Sequence, residues 1–165
     1  VIKRYLSAYG PATPETFDAW LSRNSNKKST LRSWFASLGE QIVEVRVEGE
    51  TRYLLAEHED ELAATRPSRA THLLGAFDQF VLGPGTKDTH MLAHEHRPLV
   101  SKAAGWIAPV LTQGGRITGV WEMDDGNLVV TPFPGEQAPP SQVLEDAAAR
   151  LTAVHGSVKV TPRVD

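Results

Sequence analysis

Apolar residues at Ile2, Tyr5, Leu6 and Tyr9 recur at the spacing of one helical face and stop at Gly10-Pro11, a strong helix terminator. Thr13, Pro14 and Glu15 then carry the marks of a helix start. The hydroxyl takes an orphan N–H, proline lacks one, and the carboxylate meets the positive end of the dipole. Phe17, Trp20 and Leu21 form the apolar stripe of this second helix. After the polar stretch from Ser22 to Ser29, Leu31, Trp34, Phe35 and Leu38 predict a third helix, closed by Gly39. The period then changes. Val43, Val45 and Val47 alternate with Glu44 and Arg46, the rhythm of a half-buried strand, and Gly49 supplies a tight turn towards Arg52-Tyr53-Leu54-Leu55. Three helices and a hairpin predict a winged helix-turn-helix over residues 1–65.

From residue 66 the character differs. A charged stretch, Glu57 to Arg69, reads as a linker or a short helix. Thr71-His72-Leu73-Leu74 and Phe80-Val81-Leu82 read as strands, as do the runs Trp106 to Leu111 and Ile117 to Trp121 around Gly114-Gly115. Leu128 to Thr131 follows a turn at Asp125-Gly126-Asn127. Short strands with glycine turns predict a small antiparallel β-barrel over residues 66–165. Pro139-Pro140-Ser141 opens a carboxy-terminal helix with Val143, Leu144, Ala147, Ala148, Leu151 and Val154 on its apolar face. Gly156 is expected to end it, before a last strand at Val158-Lys159-Val160. The fold class is therefore α+β.

Hydrophobic residues at 41% and charged residues at 22% lie in the ordinary globular range. No apolar run reaches the roughly 18–20 residues that span a bilayer, and no signal peptide opens the chain. The absence of cysteine excludes disulfides, thiolate metal sites and a cysteine nucleophile. A cytoplasmic, monomeric protein is the expectation. Helical periodicity is already running at Val1 with no capping residue before it, so sequence upstream of this segment is expected.

The net charge of −3 is segregated. Residues 1–39 hold six bases against two acids, and 66–120 hold six against three. Residues 40–65 hold eight acids against two bases. Two basic segments in a mildly acidic chain suit a phosphate-binding face and argue against tight, indiscriminate binding to nucleic acid.

The run from His72 to Gly83, the pair His96-Arg97 followed by Gly105-Trp106-Ile107-Ala108-Pro109-Val110, the strand Arg116 to Trp121, and Val129-Val130-Thr131-Pro132-Phe133 form four ordered motifs. Together with Ala8 to Thr13 and Leu54-Leu55, they resemble the tandem winged-helix DNA glycosylases of the AlkZ/YcaQ kind over nearly the whole chain. The resemblance implies several winged helices leading into a carboxy-terminal β-barrel, of which this chain is the last winged helix plus the barrel. It also implies a parent enzyme that hydrolyses the N-glycosidic bond of alkylated or interstrand-crosslinked purines, with water as nucleophile and no metal or other cofactor. In some relatives this protects antibiotic producers from their own DNA-crosslinking product. The family's catalytic signature, Gln-x-Gln or Gln-x-Asp, is missing: Gln41, Gln79, Gln113, Gln137 and Gln142 show neither spacing. No catalytic residue is assigned. Pro84 to Asp88 stands where relatives often carry an arginine-rich run, so a weaker or different grip on phosphate is expected there.

The expected partner is double-stranded DNA. Lys27, Lys28 and Arg32 sit at the start of the third helix, where a recognition helix meets the groove. The same residues also read as a solvated face on a scaffolding module, which the acidic hairpin tip, Glu48 and Glu50, favours. Gln113 and Arg116 flank a glycine turn that can act as a minor-groove wedge or be a plain solvent-facing turn. Arg97 and Lys102 are expected to extend the positive patch. His90 and His94, spaced as if on one helix face, with Glu95 and His96, lack a further ligand set, so no metal site is assigned. Asp78 reads as a semi-buried turn residue, and Trp20, Trp34, Trp106 and Trp121 as core. The alternative function is a non-enzymatic winged-helix regulator that binds a defined duplex or a partner protein.

Overall fold

In a computed structural model, which describes residues 1–124, 127–155 and 163–164, the chain divides into two units. One is Val1–Arg66 with Gln79–Gly85; the other is Pro67–Asp78 with Thr86–Asp165. Both are mixed α/β with antiparallel sheets.

The first unit packs α1 (Ile2–Tyr9), α2 (Pro14–Ser22) and α3 (Lys28–Ala36) beside a hairpin of β1 (Ile42–Val47) and β2 (Glu50–Leu55). Its core is Tyr5, Leu6, Ala12, Phe17, Leu31, Phe35 and Leu55. Thr13 caps α2: its hydroxyl accepts the Thr16 N–H at 3.1 Å while Thr16 Oγ1 accepts the Thr13 N–H at 3.0 Å. The strands pair from Ile42↔Leu55 to Val47↔Glu50, leaving a two-residue turn in which Glu48 and Gly49 both take positive φ. A short helix, α4 (Glu59–Ala64), follows the hairpin.

Phe80-Val81-Leu82, read as a strand, is helical. The turn α5 (Gln79–Leu82) belongs to the first unit and buries Val81 completely. Two tyrosines of α1 hold it: Tyr9 Oη donates to Gln79 Oε1 and Tyr5 Oη to the Gly83 carbonyl, each at 3.1 Å. Gly83 lies against the Tyr9 ring, which a Cβ there would overlap. An apolar run of three cannot declare its own period, and these distant hydroxyls decide it.

The second unit is a five-stranded sheet in the order β3-β4-β5-β6-β7. Its strands are β3 (Thr71–Leu74), β4 (Val110–Gln113), β5 (Arg116–Asp124), β6 (Asn127–Pro132) and β7 (Arg163–Val164). The first four pair antiparallel; β7 adds parallel to β6. The expected barrel is not found: among the described residues the sheet is open, with no pairing between β3 and β7. Its apolar face is covered by α7 (Ser141–His155), which sets Leu144, Ala147 and Ala148 on Leu73, Leu111, Leu128 and Val130. A helix laid on the sheet removes the apolar surface that closure would otherwise bury, and a helical crossover delivers the next strand parallel. The expected helix end at Gly156, the strand at Val158-Lys159-Val160 and most of the turn at 125–127 lie outside the described residues.

The tryptophans correct a second expectation. Trp121 is partly buried and donates Nε1–H to the Leu74 carbonyl at 2.9 Å. Trp20, Trp34 and Trp106 remain 40%, 37% and 50% exposed. An apolar stripe fixes which way an indole faces, not how much of its large surface is covered.

Candidate nucleic-acid interface

The start of α3 is placed by a buried carboxylate. Asp18, in the middle of α2, accepts Ser22 Oγ–H at 2.5 Å, Asn26 Nδ2–H at 2.6 Å and the Asn26 backbone N–H at 3.3 Å. The chain between turns through positive φ at Arg23 and Asn24. Donation by Ser22 and then Asn26 holds the Asp18 carboxyl below its ordinary value, against the opposing effect of burial. The clasp delivers Lys27 to the N-cap of α3. Lys28 and Arg32 share a face at i, i+4, and all three cations are exposed. Neither an acid in the first turn nor a side-chain cap answers the positive helix end. At the tip of the β1–β2 hairpin, Glu50 Oε2 lies 3.3 Å from Arg52 Nη2. That compensates one of the two acids expected to repel phosphate.

In the second unit, Gln113 and Arg116 face each other in register across Gly114 and Gly115, whose φ values of 57° and 82° only glycine adopts freely. The Gly114 N–H donates to Ala70 at 3.0 Å, anchoring the turn beside the chain that enters β3. Behind it, Thr118 Oγ1–H donates to Gln113 Oε1 at 2.9 Å. With its oxygen occupied, the Gln113 amide presents N–H donors next to an exposed guanidinium. Gln113, Arg116 and Thr118 line an open hollow of about 440 Å³ with Gly135, Glu136 and Gln137. Among the described residues no ion pair joins Arg116 to Glu136.

Arg97, the first residue of α6 (Arg97–Val100), lines a different hollow, which has no lining residue in common with the first. Lys102 is exposed at the mouth of a tight loop closed by its backbone N–H on the Trp106 carbonyl at 2.9 Å. The structure thus joins Gln113 to Arg116 in one hollow and places Arg97 in the lining of another.

The histidines follow another course than expected. His90 and His94 share no helix; the chain turns there, and only 94–96 forms a short 3-10 turn. The His96 ring stacks at 4.6 Å on Phe133. Among the described residues no group of three or more metal-capable side chains converges. Asp78 is half-buried, its N–H donating to Gly75 at 3.3 Å. Sequence reasoning missed Thr118, Gln137 and the Asp18–Asn26 clasp. Thr118 had a visible signal, since it follows Arg116 by two residues on the same strand face. Gln137 had none, because it comes from a loop beyond β6.

A family model described as DNA glycosylase AlkZ-like matches residues 1–154. The interstrand DNA cross-link repair glycosylase of Streptomyces sahachiroi is 53% identical over 164 residues, which is 99% of this chain and 44% of that protein. The solved structure of Streptomyces sahachiroi DNA glycosylase AlkZ superposes with a TM-score of 0.96 at 52% identity, again over 99% of this chain and 44% of the other. The chain therefore spans less than half the length of the relatives it matches.

Proposed function

The chain belongs to the AlkZ-like DNA glycosylase family, and from that premise we propose that it is the duplex-gripping, carboxy-terminal part of a DNA-repair glycosylase. The parent enzyme hydrolyses the N-glycosidic bond of alkylated or interstrand-crosslinked purines. The observation that carries this reading is the 53% identity to an interstrand cross-link repair glycosylase. It favours the enzyme over a regulator.

In this reading the first unit, Val1–Arg66 with Gln79–Gly85, acts as a winged helix, with α3 presenting Lys27, Lys28 and Arg32 to phosphate, and the second unit forms a separate module. The Gln113–Arg116 hairpin enters the minor groove, where purine N3 and pyrimidine O2 are acceptors that amide and guanidinium donors match. Arg97 and Lys102 neutralise flanking phosphates. An alkylated purine departs readily because it already carries positive charge. The enzyme's main task is then electrostatic stabilisation of the sugar cation that develops, with glutamines elsewhere in the parent positioning the attacking water. The protein works as a cytoplasmic monomer on double-stranded DNA.

Excision assays on a duplex carrying 7-alkylguanine test this. The parent is expected to release the base and residues 1–165 to release none. Excision by residues 1–165 at the parent's rate contradicts the division of labour.

A further inference from the structure

The loop after α5 carries two hydroxyls and an ammonium, Thr86, Lys87 and Thr89. These three side chains, with Leu92, His94 and Arg97, line one hollow of about 210 Å³. Leu92 is 1% exposed and forms the apolar part of the lining. Every other lining side chain can donate a hydrogen bond, and none is a carboxylate. The acid in the loop itself, Asp88, is buried, and its Oδ1 accepts the His90 backbone N–H at 2.9 Å. Glu95, between His94 and His96, is outside the lining.

Arg97 is oriented from within the site. Its Nε donates to Thr86 Oγ1 at 3.3 Å, which sets the guanidinium plane and leaves the two Nη groups as a fork. That fork matches two oxygens of a tetrahedral oxoanion, whereas a lysine offers a point charge without the planar geometry. The volume falls below the about 300 Å³ at which pockets for larger ligands begin. It suits one phosphate group with its waters.

We propose that the Thr86–Lys87–Thr89–His94–Arg97 hollow is a phosphate-oxoanion site. Arg97 and Lys87 supply the charge, and the threonine hydroxyls supply further donors. The site deepens the duplex-gripping reading and depends on it only for the source of the phosphate, a DNA backbone or a free anion.

The test uses isotope-labelled residues 1–165, followed by amide resonances during titration with inorganic phosphate. Duplex affinity is then measured across salt for wild type, Lys87→Ala, Arg97→Lys, Arg97→Ala and Thr86→Val. Phosphate is expected to shift the resonances of 86–97 saturably, and Arg97→Ala to abolish this while the rest of the spectrum stays in place. Arg97→Ala is expected to weaken duplex binding on the order of tenfold, with a log–log salt slope shallower by about 1. Arg97→Lys should fall between, since charge survives and the fork does not. No phosphate response in wild type, with duplex affinity untouched by every variant, overturns the site. A phosphate response with unchanged duplex affinity supports the oxoanion site and rejects the backbone as its source. If Arg116→Ala and Lys28→Ala also leave duplex binding unchanged, the duplex-gripping reading fails, and the phosphate titration still decides the hollow.

Discussion

Thr118 Oγ1 donates to Gln113 Oε1 at 2.9 Å across the β4–β5 hairpin, so one hydroxyl dictates which end of the Gln113 amide faces outward. Thr118 is 6% exposed and works from inside the sheet. The consequence is a hairpin tip whose two side chains turn donors outward: the Gln113 amide N–H groups and the Arg116 guanidinium.

Thr118→Val keeps the shape of the side chain and removes the bond. Stability is expected to fall by about 1 kcal/mol, the typical net worth of such a hydrogen bond. Duplex affinity should fall more than that loss of stability explains. Thr118→Ser, which restores the hydroxyl, should restore binding, and equal affinity in all three proteins would remove Gln113 orientation from the account.

Asp18 makes the first unit acid-sensitive. Its folded-state pKa is depressed by Ser22 and Asn26, so the unfolded chain binds the proton more readily. The stabilisation is complete well above the ordinary value of 3.8 and is lost as pH falls through that value towards the lower folded one. Denaturation midpoints measured down that range should drop in wild type, and Asp18→Asn should lower the midpoint at neutral pH while flattening part of the acid dependence. A variant as acid-sensitive as wild type would show that other carboxylates govern the transition.

Gly83→Ala should destabilise the first unit by about 1–3 kcal/mol, the usual cost of forcing extra volume into a packed site. The added methyl meets the Tyr9 ring, which must shift and weaken its bond to Gln79. Thermal unfolding checks this, and a neutral Gly83→Ala would mean that α5 is not held against α1.

Leu144→Ala probes the cover of the open sheet. Leu144 is fully buried against Leu73, Leu111, Leu128 and Val130. Truncation should cost about 2–5 kcal/mol through lost burial and the cavity left behind. A cost under about 1 kcal/mol would say that something other than α7 completes this core.

The hairpins were legible from the sequence because two signals agreed at each. Alternating Val43, Val45 and Val47 met a Gly49 turn, and the β5 run met Gly114-Gly115, although β4 begins only at Val110 and not at Trp106 as the apolar run suggested. The cap at Thr13 was legible for the same reason. The nature of Phe80 to Leu82 was not, because its partners Tyr5 and Tyr9 lie some seventy residues upstream. The open sheet was not either, since strand periodicity says nothing about whether a helix or another strand covers a face. At the site, Gln113 and Arg116 could be paired through their turn, whereas the grouping of Arg97 with Thr86 and Lys87 depends on how a loop without regular period folds back.

The proposed function requires cationic side chains of this chain to neutralise phosphates of a duplex. The affinity of residues 1–165 for an undamaged duplex, measured from low to moderate salt in wild type and Arg116→Ala, tests it most directly. A steep decline is predicted, about 0.9 log unit per log unit of salt for each phosphate neutralised, with a shallower slope in Arg116→Ala. Affinity that ignores salt, or an identical slope without Arg116, would contradict it.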